Sequence, residues 1–190
     1  TNGKTTVTFL IRNILEYLGQ KTGLIGTIKN IIGEEEIPSE HTTPEAPDLQ
    51  NYFNGLNTNG IRYCVMEVSS HSLELRRVDY TDFKMGILTI ITQDHLDFHG
   101  TMDNYVNAKS KLFEMTADYA VLNADDAYFE RIMSKCNRNA KILTYGIRDG
   151  NVKGKINYLK IDGSNFDIIV DGKSFNVNYK VPGLFSIYNA

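Results

Sequence analysis

The sequence predicts an α/β fold in which a mostly parallel sheet is flanked by helices and a small antiparallel β appendage lies near the C-terminus. Two features lead to this prediction. Short apolar runs alternate with segments of helical periodicity up to about residue 150, and such alternation is typical of a parallel sheet covered on both faces. Beyond Asn151, Asp-Gly pairs separate alternating, strand-like segments, as they do in antiparallel hairpins.

The elements follow from local patterns along the chain. Apolar residues recur at helical spacing over residues 5–18, and Gly19 is placed to end that helix. The predicted strands are short apolar runs at residues 22–28, 61–68, 85–91, 119–122 and 142–145. The further predicted helices are periodic segments at residues 46–56, 102–115 and 127–136. Asp162-Gly163 and Asp171-Gly172 are typical turns of the C-terminal hairpins.

Length and composition limit the classes of protein to consider. With 190 residues and 42% hydrophobic content, the chain can bury one core, so residues 1–190 are predicted to form one domain. The formal net charge of -3 gives no general attraction for nucleic acid or an anionic membrane. Two cysteines give no disulfide framework, and no apolar stretch approaches the ~20 residues that span a bilayer. A cytoplasmic protein that binds neither nucleic acid nor membrane is expected.

The first six residues, Thr1-Asn2-Gly3-Lys4-Thr5-Thr6, resemble the second half of a phosphate-binding loop opening onto a helix, which makes the predicted fold P-loop-type. Backbone amides and the helix dipole favour phosphate there, Lys4 can neutralise the β and γ oxygens, and the hydroxyl of Thr5 can bind magnesium. The alternative is a helix whose cap happens to have this sequence. The first loop glycine and the strand before it are missing, and residues 183–190 read as the opening of a helix, so we expect a piece of a longer protein.

Polar residues follow two further predicted strands, at the sheet edge where open α/β folds collect ligands. Glu67 closes the apolar run from Tyr63 and is a candidate magnesium ligand, although a solvated strand end would have the same pattern. Ser69-Ser70-His71-Ser72 comes next, and Asp94-His95-Leu96-Asp97-Phe98-His99 follows the next strand. Three of the four histidines thus fall in two edge loops, where imidazole beside carboxylates suits magnesium or manganese. Helix capping by the aspartates is the alternative.

Lys109 lies on the apolar stripe of the helix predicted over residues 102–115. It comes four residues after Tyr105 and three before Leu112, whereas Lys111 falls on the other face. Desolvation tends to lower the pKa of a lysine on a buried face. The neutral amine can then react with carbon dioxide to give a carbamate, which is a carboxylate-like metal ligand. The alternative is a lysine whose ammonium reaches water along the helix surface.

Five motifs, in order along the chain, resemble the Mur ligase family and most closely its UDP-N-acetylmuramyl-tripeptide synthetase (MurE-type) branch. They are Thr1-Asn2-Gly3-Lys4-Thr5-Thr6, His41-Thr42-Thr43-Pro44-Glu45, Met66-Glu67-Val68-Ser69-Ser70-His71-Ser72, Asp94-His95-Leu96-Asp97-Phe98-His99-Gly100 and Tyr105-Val106-Asn107-Ala108-Lys109. The resemblance covers essentially the whole chain, although residues 151–179 match only in general shape. It implies that residues 1–190 are the central ATP-binding domain of a three-domain ligase, without the N-terminal UDP-binding domain and the C-terminal domain.

The resemblance also implies an activity, ATP-dependent amide-bond formation in peptidoglycan precursor synthesis. The γ-phosphate of ATP passes to the terminal carboxylate of UDP-N-acetylmuramyl-L-alanyl-D-glutamate, and the amine of L-lysine or meso-diaminopimelate attacks the resulting acyl phosphate. The implied cofactors are ATP, Mg²⁺ and carbon dioxide as the lysine carbamate. The implied partners are the UDP-N-acetylmuramyl dipeptide and the diamino acid, and a monomer is expected.

The resemblance assigns roles to residues position by position. Those expected to bind ATP are Thr1, Asn2, Gly3, Lys4, Thr5, Thr6 and, at the adenine, Asn189. Those expected to contact the muramyl dipeptide are Thr42, Thr43, Ser69 and Arg77. Thr5 and Glu67 are expected to serve the first magnesium, and His95 and carbamylated Lys109 the second. Lys4, His95 and Lys109 are the expected catalytic residues.

Two positions depart from the family pattern. Ile90 stands where the family often has asparagine before the Asp-His motif, and Ser186 stands where the final motif often has asparagine. The first concerns the polar network near the metal, and the second concerns the adenine contacts. Two other functions stay open. A folylpolyglutamate-synthetase-like ligase would share the phosphate loop and the carbamylated lysine, whereas a non-catalytic nucleotide-binding module would not need Lys109.

Overall fold

The structure, a computed structural model, describes residues 2–190. It divides into two compact units, which we call the first unit (Lys4–Thr81) and the second unit (Asp82–Ala190 with Asn2 and Gly3). Each unit has its own sheet with parallel strand pairing, and helices connect the strands. The predicted α/β class is therefore confirmed, and the assignment of residues 1–190 to one domain stays a prediction.

The first unit contains three helices and a four-stranded sheet. Its elements are α1 (Lys4–Tyr17), β1 (Thr22–Ile25), β2 (Lys29–Ile32), β3 (Glu35–Pro38), α2 (Ala46–Thr58), β4 (Tyr63–Met66) and α3 (Ser70–Glu74). The strand order is β3-β2-β1-β4, with β1 and β4 parallel and the other neighbours antiparallel. The parallel pair aligns Ile25 with Met66, so Gly26 and Glu67 leave the sheet at the same edge.

Helix α1 has the predicted position, but it is less buried than its apolar stripe suggests. Thr8 is its buried residue, while Ile14 and Tyr17 are exposed. The exposed C-terminal end follows from length. A helix of 14 residues is about 21 Å long, whereas the four-residue strands β1 and β4 that it packs against span only about 13 Å.

The core of the first unit lies on β1, β2 and α2. All four residues of β1 are buried, as expected for a central strand that is covered on both faces. The buried apolar side chains of the unit are Leu24, Ile25, Ile31, Ile32, Leu49, Leu56, Leu73 and Val78.

The second unit contains a six-stranded sheet with the order β10-β9-β8-β7-β6-β5. Its elements are β5 (Phe83–Leu88), α4 (Leu96–His99), α5 (Met102–Met115), β6 (Thr116–Asn123), α6 (Phe129–Met133), β7 (Lys141–Gly146), β8 (Val152–Lys160), β9 (Gly163–Val170), β10 (Lys173–Tyr179) and α7 (Leu184–Asn189). Strands β5 to β8 pair in parallel, and β8 to β10 form antiparallel hairpins. The predicted β appendage is confirmed.

Helix α5 packs on the parallel part of this sheet and forms much of the core. It covers the predicted residues, and Thr101 caps it by accepting a hydrogen bond of 3.2 Å from the Asn104 N–H. The buried cluster around it comprises Leu88, Ile91, Tyr105, Val106, Phe113, Ala120, Leu122 and Ile132. Among residues 2–190, no helix is long and apolar enough to cross a membrane.

Candidate functional site

Glu67 is the centre of the polar cluster in the first unit. It follows β4, and its backbone N–H continues the sheet by donating to Ile25 O at 2.9 Å. The side chain is only 2% exposed. Its Oε2 accepts from the Thr5 hydroxyl at 3.0 Å and the Thr27 hydroxyl at 3.1 Å, and its Oε1 accepts from the Thr27 N–H at 2.9 Å. Glu67 is therefore a buried, fixed carboxylate, which rules out the alternative of a solvated strand end.

Sequence reasoning missed two neighbours of this carboxylate, Gly26 and Thr27. A Cβ on Gly26 would lie 2.5 Å from Oε1 of Glu67, so the glycine leaves the space that the carboxylate occupies. The parallel register of β1 and β4 places Gly26, the residue after Ile25, beside Glu67, the residue after Met66.

The predicted phosphate loop leads directly into α1, as expected. Lys4, Thr5 and Thr6 lie at the start of the helix, where backbone N–H groups lack partners within the helix. Gly3 has a φ of +88°, which favours glycine. Thr1 lies outside the described residues. The hydroxyl of Thr5 is thus placed at the N-terminus of a 14-residue helix, in contact with a buried carboxylate.

The four predicted dipeptide contacts gather in the first unit, beside Glu67. The Thr43 hydroxyl, which is buried, donates to Glu67 O at 2.9 Å and accepts from Ser69 N–H at 3.0 Å. The Thr42 hydroxyl lies 3.1 Å from that of Thr27. In this structure Thr43 fixes its loop to the segment after β4, while Ser69 caps α3 by accepting from Ser72 N–H at 3.0 Å.

Arg77 joins the same group of residues. Its Nη1 donates to Thr43 O at 3.3 Å, and its Nη2 forms an ion pair of 2.6 Å with Glu45. Its Nε is buried and has no hydrogen-bond partner among residues 2–190. Leaving a buried donor without a partner costs about 1–3 kcal/mol, so Arg77 is held beside Thr43 and Glu45 with one donor unsatisfied.

In the second unit, Tyr105 brings together the predicted second-magnesium residues. The Lys109 Nζ lies 4.9 Å from the centroid of the Tyr105 ring. The rings of His95 and His99 lie 6.5 Å and 5.2 Å from it, centroid to centroid. Lys109 is half-buried, on the helix face where the sequence places it. His95 has a left-handed backbone with φ +52°, and its N–H donates to its neighbour Asp94 at 3.0 Å.

Asn189, the predicted adenine contact, ends α7 beside the phosphate loop. Its side chain fills the space that a Cβ on Gly3 would need, so the two residues are in direct contact. The loop is also held by Thr89, whose hydroxyl donates to Asn2 O at 2.8 Å. Asn189 is therefore placed against the backbone of the loop that is predicted to cradle phosphates.

A second buried carboxylate, which sequence reasoning did not single out, anchors α7. The side chain of Asp125 is 4% exposed. It accepts from the Tyr188 hydroxyl at 2.8 Å and from the N–H groups of Ile147, Arg148 and Asp149 at 2.7, 3.0 and 3.1 Å. Burial alone would raise the pKa of Asp125, but these hydrogen bonds together lower it. Burial and the bond to Asp125 raise the pKa of Tyr188 to about 12.

The donor set near Glu67 fits magnesium. Mg²⁺ in nucleotide sites is held by one or two carboxylates or hydroxyls together with phosphate oxygens and water. Thr5 and Glu67 offer one hydroxyl and one carboxylate oxygen, 3.0 Å apart. In the described part of the chain, no three His, Cys, Asp or Glu side chains form a metal-binding group. Oxygens of a bound nucleotide would complete the coordination.

Comparisons with known proteins place this chain in a family. A family model described as the Mur ligase middle domain matches residues 1–190. A UDP-N-acetylmuramoyl-L-alanyl-D-glutamate–2,6-diaminopimelate ligase from Caldanaerobacter subterraneus subsp. tengcongensis is 47% identical over 191 residues, and one from Clostridium botulinum is 45% identical over 191 residues. Each alignment covers 100% of this chain and 39% of the relative.

A solved structure described as a UDP-N-acetylmuramoyl-L-alanyl-D-glutamate–2,6-diaminopimelate ligase is also similar to this chain. Its TM-score is 0.89 at 31% sequence identity, and the match covers 100% of this chain and 39% of that one. The chain thus spans about two fifths of the length of these relatives. Because the family model matches the whole chain and the relatives align along all of it, the chain belongs to the Mur ligase family, as a middle domain.

Proposed function

We propose that this chain is the ATP-binding middle domain of a ligase that adds a diamino acid to UDP-N-acetylmuramyl-L-alanyl-D-glutamate. One observation carries the proposal, the set of contacts around the buried Glu67 carboxylate. The Thr5 and Thr27 hydroxyls both bond to this carboxylate, and the Thr27 hydroxyl also lies within hydrogen-bond distance of the Thr42 hydroxyl. The contacts support the proposal, because Thr5 is a predicted nucleotide residue and Thr42 a predicted acceptor residue, and both are linked to one fixed carboxylate. The names of the relatives support 2,6-diaminopimelate as the diamino acid.

The proposed reaction has two steps. The γ-phosphoryl group of ATP passes to the terminal carboxylate of the dipeptide, which gives ADP and an acyl phosphate. The amine of the diamino acid then attacks the acyl carbon, the C–O bond to phosphate breaks, and the amine loses a proton as the amide forms. The products are ADP, phosphate and the tripeptide precursor.

The residues of the nucleotide side hold and orient ATP. Lys4, at the start of α1, neutralises phosphate oxygens together with the helix N-terminus. Asn189 contacts the adenine. Thr5 and Glu67 would hold one Mg²⁺, and His95 with carbamylated Lys109 a second. Magnesium would neutralise the charge that develops on the transferred phosphoryl group.

The acceptor side is proposed to hold the dipeptide through Thr42, Thr43, Ser69 and Arg77. The Arg77 guanidinium supports this role, because it lies beside Thr43 and carries several N–H donors of the kind that pair with a carboxylate. Glu45 keeps the guanidinium in place through its ion pair. Since a carboxylate must approach the γ-phosphate, such a cation also reduces the repulsion between the two anions.

The proposal is tested by phosphate release from the full-length protein that contains this chain. It is given ATP, magnesium and UDP-N-acetylmuramyl-L-alanyl-D-glutamate, with diaminopimelate, lysine or no amine in parallel. We expect release that depends on both the dipeptide and diaminopimelate. Release that needs lysine instead would show that lysine, and not diaminopimelate, is the diamino acid that is added. Release only with a folate and glutamate, or under no condition, would replace the proposal by the folylpolyglutamate-synthetase-like ligase or the binding module.

A further inference from the structure

Four side-chain oxygens in the first unit form a continuous chain of hydrogen bonds. The Thr5 hydroxyl lies 3.0 Å from Oε2 of Glu67, Oε2 lies 3.1 Å from the Thr27 hydroxyl, and that hydroxyl lies 3.1 Å from the hydroxyl of Thr42. One end lies at the start of α1 and the other in the loop before α2. We call this chain the threonine relay.

Thr27 controls the direction of the relay because it has a single hydroxyl proton. A carboxylate without a proton can only accept hydrogen bonds, whereas a hydroxyl donates one and accepts others. If the Thr27 proton points to Glu67, the Thr42 proton points to Thr27. If it points to Thr42 instead, the Thr42 hydroxyl accepts that bond and can donate its own proton to another acceptor. The bond to a carboxylate is the stronger of the two, so the first arrangement is the resting one.

The position of the Thr27 hydroxyl is fixed by its own backbone. The Thr27 N–H donates to Oε1 of Glu67 at 2.9 Å, so residue 27 holds both carboxylate oxygens, one with the N–H and one with the hydroxyl. The absent Cβ of Gly26 leaves room for this approach. The side chain of Thr27 is otherwise exposed, which indicates that core packing is not what requires the hydroxyl.

We propose that Thr27 is a positioning residue that couples the nucleotide side of the site to the acceptor side. This rests on the proposed function, because the ligands at both ends are the ones proposed there. When Oε2 of Glu67 is committed to a cation, it becomes a weaker acceptor and the Thr27 proton turns to Thr42. The Thr42 proton is then available to an oxygen of the acceptor, so the acceptor binds more tightly to the nucleotide-loaded protein.

The coupling is measured as a ratio of two affinities in the full-length protein. Titration calorimetry gives the dissociation constant of UDP-N-acetylmuramyl-L-alanyl-D-glutamate, with and without magnesium and an ATP analogue whose β and γ phosphates are bridged by methylene. We expect the analogue to tighten dipeptide binding about tenfold in the wild type, within the usual range of coupling between sites. By linkage, the dipeptide tightens analogue binding by the same factor.

Three substitutions isolate the hydroxyl. Thr27→Val keeps the shape and the backbone N–H but removes the hydroxyl, and Thr27→Ser restores it. Thr58→Val removes a hydroxyl from an exposed threonine at the end of α2, which bonds to Asn54 O at 2.8 Å and lies outside the relay. We expect the affinity ratio to fall to about one in Thr27→Val. We expect Thr27→Ser and Thr58→Val to keep the wild-type ratio, and melting temperatures check that all variants are folded.

The outcomes separate the relay from the proposed function. The relay would be overturned if Thr27→Val kept the wild-type ratio of dipeptide affinities. It would also be overturned if the ratio fell to about one in Thr27→Ser. Wild-type protein that binds both ligands with no coupling would overturn the relay but leave the proposed function standing. Wild-type protein that binds no muramyl dipeptide at all would overturn the proposed function and the relay together.

Discussion

Glu67 illustrates how far a single residue could be predicted. Its place after an apolar strand predicted that it lies at the carboxyl edge of the sheet, and the structure confirms that position. The sequence could not predict its burial, because the three groups that donate to its carboxylate belong to Thr5 and Thr27, which are distant along the chain. Burial matters, because a carboxylate held by several donors keeps one orientation and can present the same oxygen to each incoming ligand.

Lys109 carries the first residue-scale prediction. Lys109→Ala in the full-length protein is expected to lower kcat at least ~100-fold. It removes a proposed ligand of the second Mg²⁺, and that ion would neutralise charge that develops during phosphoryl transfer. Lys109→Arg is expected to lose as much, since arginine cannot form a carbamate. Turnover is measured as phosphate release with ATP, dipeptide and diaminopimelate.

The matched control for Lys109 is Lys111→Ala. It removes a lysine side chain of the same kind from the same helix, two residues further on, and is expected to leave kcat within about twofold of wild type, as is usual for positions away from a catalytic site. Full activity in Lys109→Arg would remove the carbamate from the mechanism, and full activity in Lys109→Ala would remove the lysine altogether.

At the scale of elements, long and regular patterns were predictable and short irregular ones were not. Helix α5 has the predicted bounds, because its apolar stripe and its Thr101 cap give consistent signals. Strands β2 and β3 were missed. Each has four residues, β3 contains two glutamates and is largely exposed, and β2 buries a polar residue, Asn30. Asn30 is buried because its side chain accepts the Gly26 N–H at 3.2 Å, a tertiary contact that no local pattern encodes.

The Asp125 network leads to a prediction about α7. Hydrogen bonds lower the pKa of Asp125 in the folded protein. Its contribution to stability is therefore present above the unfolded pKa, near ~3.9, and is lost as the pH falls through the lower folded value. Tyr188→Phe removes one donor and moves the folded pKa back toward ~3.9. We expect the midpoint of acid unfolding, followed by circular dichroism, to shift to higher pH.

Tyr17→Phe is the control for Tyr188→Phe. It removes a hydroxyl from a tyrosine that is 91% exposed and should leave the acid midpoint unchanged. Hydrogen exchange provides a local measurement, because loss of the Tyr188–Asp125 bond should speed exchange in α7 (Leu184–Asn189). An unchanged acid midpoint together with unchanged exchange in α7 would show that the bond does not anchor the helix.

For the molecule as a whole, charge predicts that nucleotide binding depends on a local site. The formal net charge of these 190 residues, -3, gives a polyphosphate no general attraction, so among them we expect the attraction to come from the loop and the start of α1. Lys4→Ala and Lys21→Ala both change the net charge to -4. We expect Lys4→Ala to weaken binding of the methylene-bridged ATP analogue about 10- to 100-fold, as loss of a charge-assisted bond does.

Lys21→Ala is the matched control, because Lys21 is exposed and follows α1 rather than beginning it. We expect it to change the affinity by less than about twofold, since one screened surface charge contributes little. Titration calorimetry measures both variants in the full-length protein. Equal losses in the two variants would mean that general charge, and not the loop, attracts the nucleotide.

The contact between Gly3 and Asn189 has a consequence for how such sequences can change over evolutionary time. Position 3 combines a backbone conformation that suits glycine with a space already filled by the Asn189 side chain. A mutation to a larger residue at position 3 would need a smaller residue at 189, and a smaller residue at 189 would give up the proposed adenine contact. The two positions are therefore expected to change together, and selection should remove variants in which only one of them is replaced.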